Sequence, residues 1–221
     1  MGKLTLHGVT LSPFVRKIKV LLIEKGVEHD HVPVPPSQEA EFLKISPLGK
    51  IPVLVDEDGR AINDSSVMVS YLEERFPNNS ALPEDPYDRA RARWFEAYAS
   101  SSFAPALVFG IFGQRVVMPY LFGTPTDEKV VEEALAAAPK YLGYLESELG
   151  DSDYFVNNTY SLADIALASN FCNLLHGDYH IDAEKYPKLA KWFARVIERE
   201  HYQEILKQEK AFVADLKSKA K

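Results

Sequence analysis

Strand signals in this chain stop at a single point. Up to Phe76, short alternating segments interleave with helical ones; beyond Pro77, no segment of the 221 residues carries a strand pattern. Leu4 and Leu6 alternate with polar neighbours, as in a half-buried strand. Ser12-Pro13 then opens a helix, with serine as N-cap and proline at the first helical position. Phe14, Ile18, Leu21 and Leu22 follow at helical spacing, and Gly26 stands where a terminating glycine belongs. The pattern predicts a second strand over His29 to Val34, a short helix over Ser37 to Ile45 and a turn at Ser46-Pro47-Leu48-Gly49. Ile51 to Val55 and Ala61-Ile62 flank Asp56-Glu57-Asp58-Gly59, and an Asp-Gly turn between apolar runs predicts an antiparallel hairpin. Asp64, Ser65 and Ser66 offer N-caps to a helix bearing Met68, Tyr71, Leu72 and Phe76. The order β-α-β-α-β-β-α is too short for a doubly wound nucleotide fold.

Pro77 to Pro86, with its prolines, asparagines and acidic residues, reads as a linker. Beyond it, Asp88 to Tyr120, Asp127 to Leu149, Ser161 to His176 and Pro187 to Lys219 (two helices) all read as helical. The chain therefore divides into residues 1–77, mixed α/β, and residues 87–221, an all-helical domain. Ser161-Leu162-Ala163-Asp164 resembles a capping box with Asp164 in place of Glu or Gln, flanked by Tyr160 and Ile165 at staple positions.

Composition narrows the function classes. A net charge of −7 argues against a nucleic-acid-binding surface spread over the molecule. The single cysteine, Cys172, excludes an intrachain disulfide and reads as a small core residue in a helix. No apolar run approaches the ~20 residues needed to span a bilayer, and the N-terminus lacks a signal-peptide pattern, so a cytoplasmic protein without membrane association is expected. The six histidines form no metal-ligand spacing, and none is expected to hold a metal. His29 and His31 alternate on the second strand and read as solvent-facing, as do Arg16 and Lys17 on the first helix.

Four motifs now resemble those of the cytosolic glutathione transferases, in the order found in that family. They are Ser12-Pro13-Phe14-Val15-Arg16-Lys17, Ser46-Pro47-Leu48-Gly49-Lys50-Ile51-Pro52-Val53-Leu54, Asp64-Ser65 before an apolar helix, and Tyr160-Ser161-Leu162-Ala163-Asp164-Ile165-Ala166. The resemblance spans nearly the whole chain. It implies a thioredoxin-like N-terminal domain that binds glutathione, an all-helical C-terminal bundle that carries a hydrophobic-substrate site, and a homodimer. Glutathione is then a co-substrate, with no separate cofactor.

The thiol of glutathione sets the chemical problem, because a free thiol with a pKa near ~8.5 is only a few per cent thiolate at neutral pH. A hydroxyl donor and a helix N-terminus aimed at the sulfur both favour the thiolate. Taken alone, Ser12 is a helix cap. The resemblance makes it the thiol-activating serine as well, and no tyrosine before Tyr71 competes for that role. With serine at position 12 and valine at 15, the motif holds no redox cysteine. By the same resemblance Phe14 lies in the glutathione site, Pro52 is cis, and Ile51 pairs its backbone with the cysteinyl unit as an added strand would. Ser65 and the helix N-terminus bind the γ-glutamyl carboxylate. Asp64 stands where the family more often has Glu or Gln and reaches the γ-glutamyl ammonium, and Lys50 meets the glycyl carboxylate. Each residue also has a plain structural reading: cap, strand-opening proline or surface lysine.

The second substrate is expected to be a hydrophobic electrophile. It would sit against the aromatic-rich first helix of the C-terminal domain, at Phe103, Phe109 and Phe112, with Gly110 and Gly113 loosening the helix. Peroxide reduction or isomerisation at the same thiolate is the enzymatic alternative, and a non-catalytic interaction module the alternative from another class.

Overall fold

A computed structural model of the chain describes residues 3–219. Two compact units divide between Asp85 and Pro86. In the first, β1 (Leu4–His7), α1 (Pro13–Glu24), β2 (His29–Val32), α2 (Ala40–Leu43), β3 (Val53–Val55), β4 (Ala61–Asn63) and α3 (Ser65–Arg75) follow in chain order. The sheet order is β2-β1-β3-β4. β1 and β2 are parallel, which the crossover through α1 permits, whereas β1–β3 and β3–β4 are antiparallel. Leu4, Leu6, Val53 and Leu54 of the sheet join Val15, Ile18, Leu21 and Leu22 of α1 and Met68, Val69 and Leu72 of α3 in one buried core.

Local chemistry sets the boundaries. Gly26, at φ +66°, closes α1 in a Schellman arrangement: its N–H bonds Ile23 O at 2.9 Å and Val27 N–H bonds Leu22 O at 2.9 Å. β2 stops at Val32, two residues short of the expected end, because Pro33 has no N–H to give the ladder. α2 keeps only four of the nine residues expected. The segment before it is drawn off to the following turn, with Ser37 N–H on Gly49 O and Gln38 Nε2 on Leu48 O.

The second unit comprises α4 (Pro86–Leu121), α5 (Glu128–Leu149), α6 (Leu162–His176), α7 (Pro187–Ile197) and α8 (Glu200–Lys219). From Ala99 to Val117, α4 is wound wide as a π-helix, and Pro105 lies inside that stretch, where its missing N–H interrupts the usual ladder. α4 packs on α5 and α6. Gly110 sits there because a Cβ would lie 2.5 Å from that of Ala134 on α5, so this glycine serves close helix approach rather than loosening. Phe95, Phe155, Trp192, Phe171 and Phe103 stack in sequence with centroids 4.9–5.7 Å apart and form the aromatic core. Cys172 is fully buried.

The expectation of no membrane-length apolar segment needs correction. α4 has 36 residues and an 18-residue window of mean hydropathy 1.3, long and apolar enough to cross a membrane by length and composition. Its Phe103, Leu107 and Ile111 are fully buried within the bundle, the pattern of a core helix.

The expected capping box is present at the start of α6. Asp164 Oδ2 accepts from the Ser161 N–H at 2.9 Å, and the Ser161 hydroxyl accepts from the Ala163 N–H at 3.3 Å. Asp164 Oδ1 also accepts from the Phe155 N–H at 3.2 Å and from Trp192 Nε1 at 2.8 Å. Burial pushes this carboxyl up to about 6, against the opposing pull of its hydrogen bonds.

Candidate functional site

Strand pairing brings three chain segments to one end of the sheet. His7, the last residue of β1, pairs with Val53, the first of β3, and Val53 pairs on its other side with Asn63, the last of β4. Residues 8–12, 51–52 and 64–65 therefore leave the sheet side by side. Gly8 is the pinch point, at φ +138°, where a Cβ would lie 2.5 Å from a Val15 methyl and 3.1 Å from Ile51 Cβ. No side chain fits there, so α1 and the Ile51 segment close on bare backbone. A lone glycine between a strand and a Ser-Pro turn was the available signal, and sequence reasoning did not single it out.

Ser12 is the N-cap of α1 and is half-buried. Its N–H closes a turn onto Val9 O at 3.0 Å, and its hydroxyl accepts from the Val15 N–H at 3.4 Å. Accepting that bond leaves the hydroxyl proton available to a further acceptor. Phe14, half-buried, lies on the same first turn.

The Ile51-Pro52 peptide is cis, as the family pattern implies, and Pro52 is buried while Ile51 is half-exposed. The loop ahead of it is fixed by buried Ser46, whose hydroxyl donates to Lys50 O at 2.7 Å, and by Asn63 Nδ2, which donates to Ile45 O at 3.1 Å. Lys50 itself is exposed. Asp64 caps α3, accepting from the Ser66 N–H at 2.8 Å, and holds φ +75°. A non-glycine residue rarely adopts such a backbone, and it turns this exposed carboxylate at the mouth of the helix. Ser65, the first helical residue, is buried at 6% exposure.

Several expected residues fall elsewhere. Phe103 is fully buried between Tyr98, Tyr141 and Phe171, and Phe112 is 5% exposed beside His176, so both are core residues with little or no accessible face. Phe109 is 51% exposed. Arg16 and Lys17 are not on a solvated face: α1 is covered on nearly all sides, and they are 0% and 2% exposed. His29 and His31 are half-buried rather than solvent-facing, each bonded to a backbone carbonyl. Buried polar pairs with no local sequence signal join distant elements, His176 to Glu209 at 2.9 Å and Lys25 to Glu73 at 3.1 Å. Among the described residues no group of three or more His, Cys, Asp or Glu side chains is placed to hold a metal ion.

A thioredoxin-like sheet with a cis-proline before β3 and a serine-capped helix beside it, followed by a helical bundle, defines the class. The sequence matches the glutathione S-transferase N-terminal domain over residues 6–80 and the C-terminal domain over residues 106–200. It is 30% identical to glutathione S-transferase U8 of Arabidopsis thaliana over 96% of this chain and 93% of that protein. The fold superposes on Drosophila melanogaster glutathione S-transferase E7 with a TM-score of 0.82 at 26% identity, covering 98% and 96% of the two chains. A glutathione S-transferase of Methylobacterium radiotolerans, solved in complex with glutathione sulfonate, superposes with a TM-score of 0.76 at 26% identity over 92% and 94%. The chain belongs to the glutathione S-transferase family and is an enzyme of that class.

Proposed function

We propose that this enzyme conjugates the thiolate of glutathione to hydrophobic electrophiles, with Ser12 as its thiol-activating residue. The observation that carries this reading is the Ser12 hydroxyl, which accepts from the Val15 N–H and keeps its own proton to donate to sulfur at the N-terminus of α1. The thiol proton leaves to solvent. The sulfur lone pair then forms the bond to the electrophilic carbon, and that carbon releases a leaving group or shifts a π pair onto its neighbour.

Residues 1–77 serve as the glutathione-binding domain. The Ile51 backbone pairs with the cysteinyl unit, Ser65 and the α3 N-terminus take the γ-glutamyl carboxylate, Asp64 takes the ammonium, and exposed Lys50 takes the glycyl carboxylate. Phe14 lines the same site. Residues 87–221 carry the hydrophobic-substrate site, with Phe109 the one of the three aromatic candidates that a ligand reaches, given its 51% exposure. The protein works in the cytoplasm in detoxification. It does so as a homodimer whose second copy covers apolar side chains such as Leu48 and Val67, 71% and 55% exposed.

The test combines calorimetric titration with glutathione and a rate assay against a panel of chromogenic electrophiles. Saturable binding and consumption of glutathione with at least one electrophile are expected. Absence of both would leave the chain a non-catalytic interaction module. Asp64→Asn keeps the helix cap and the backbone tolerance but removes the charge. It is expected to raise KM for glutathione about five- to twentyfold, with kcat little changed, as loss of one charge-assisted contact of about 1–2 kcal/mol requires.

A further inference from the structure

Resting on the reading that Ser12 activates the thiol, we propose that His31 on β2 is a positioning residue for that hydroxyl, a neutral imidazole whose Nε2–H grips the carbonyl of Gly8. Two contacts fix the tautomer. His31 Nε2 lies 2.7 Å from Gly8 O, and a carbonyl only accepts, so Nε2 carries the proton. Lys19 Nζ lies 3.4 Å from Nδ1, and an ammonium only donates, so Nδ1 offers its lone pair. A second proton is disfavoured first by burial, then by Lys19 and by His29 and His7 nearby, against the pull of the Gly8 carbonyl. The ring is therefore uncharged at neutral pH.

Gly8 is where such a grip matters most. Its backbone is left-handed and walled by Val15 and Ile51, and its carbonyl sets the direction in which the chain leaves β1 for Ser12. β2 and the residues after it hold the same stretch through backbone bonds, Gly8 N–H on Val32 O at 2.9 Å and Val9 N–H on Val34 O at 3.0 Å. The Ser12 N–H then closes on Val9 O at 3.0 Å. His31 adds a side-chain anchor to this backbone clasp, four residues ahead of the hydroxyl. A misplacement of ~1 Å in a catalytic group can cost about a hundredfold in rate, so this anchor acts on the chemistry without touching substrate.

The test is the pH profile of kcat/KM for glutathione in the wild type, His31→Leu, His31→Gln and Ser12→Ala. In His31→Leu the acidic limb should move up by about one unit and kcat at neutral pH fall about tenfold, with KM for glutathione within about threefold. His31→Gln, whose amide N–H replaces the Nε2 donor, should return the limb to within about 0.3 unit of wild type. A merely structural role would lower thermal stability without moving the limb. An unmoved limb in His31→Leu, or a glutamine variant that behaves like leucine, overturns the proposal. If the leucine variant does not fold, the glutamine variant and the ring's nitrogen NMR shifts decide: an Nδ1-protonated or charged ring at pH 7 overturns it, and the Nε2–H form sustains it. Should His31 fail while Ser12→Ala moves the limb, only the positioning role is lost. Should Ser12→Ala leave the limb in place, the reading beneath it is lost too.

Discussion

Asp164→Ala will lower the unfolding free energy by about 3–5 kcal/mol and the thermal midpoint by about 10 °C. Removing the carboxylate strands the Ser161 and Phe155 backbone N–H groups and the Trp192 indole N–H, all in the interior of the helical unit. Each orphaned buried donor costs about 1–3 kcal/mol, and the start of α6 loses its cap as well. The same residue gives a pH signature. Its folded carboxyl sits at about 6, above the ordinary carboxylate range, so the folded state binds the proton more tightly than the unfolded chain. Its contribution is therefore most favourable in acid and is lost as pH rises through about 6, a change of up to about 3 kcal/mol. Urea unfolding of the wild type and Asp164→Asn at pH 4.5 and 7 isolates that slope, because every other titrating group cancels in the comparison. The asparagine variant should lose less stability between the two values than the wild type.

Ser12→Ala will lower kcat/KM for conjugation at neutral pH about ten- to a hundredfold and leave glutathione affinity within about threefold. A hydrogen bond to a charged group contributes about 1.5–3 kcal/mol, and the thiolate is charged where the bound thiol is not, so the loss falls on turnover. The cap to Val15 is lost in the same change, at about 1 kcal/mol of stability. Thermal unfolding of the variant separates that effect from the kinetic one. Turnover equal to wild type in a folded variant would remove Ser12 from the mechanism.

What was legible in the sequence depended on sequence distance. Ser12-Pro13, Gly26, the Asp56–Gly59 hairpin turn and the Ser161–Asp164 box all act through backbone groups within a few positions, where local rules apply. The Trp192 indole that completes the Asp164 cluster comes from 28 residues away, and no periodicity announces it. The apolar stripe of Phe14, Ile18, Leu21 and Leu22 marks one covered side and leaves Arg16 and Lys17 to solvent, whereas α1 is buried nearly all round. Phe103 and Phe112 would lie on opposite faces of a helix wound at about 3.6 residues per turn. The wider winding from Ala99 to Val117 brings both onto the buried side and leaves Phe109 accessible. Of the proposed glutathione site, the residue types were readable but their convergence was not. That convergence follows from the register His7–Val53–Asn63, which brings three loops together at one sheet end.

Activation of the thiol by Ser12 is read most directly in a spectroscopic pH titration of the glutathione thiolate bound to the enzyme. The midpoint should lie at least about one unit below the ~8.5 of a free thiol and move back toward that value in Ser12→Ala. A bound thiol that titrates like free glutathione, or a midpoint indifferent to Ser12, would contradict that activation.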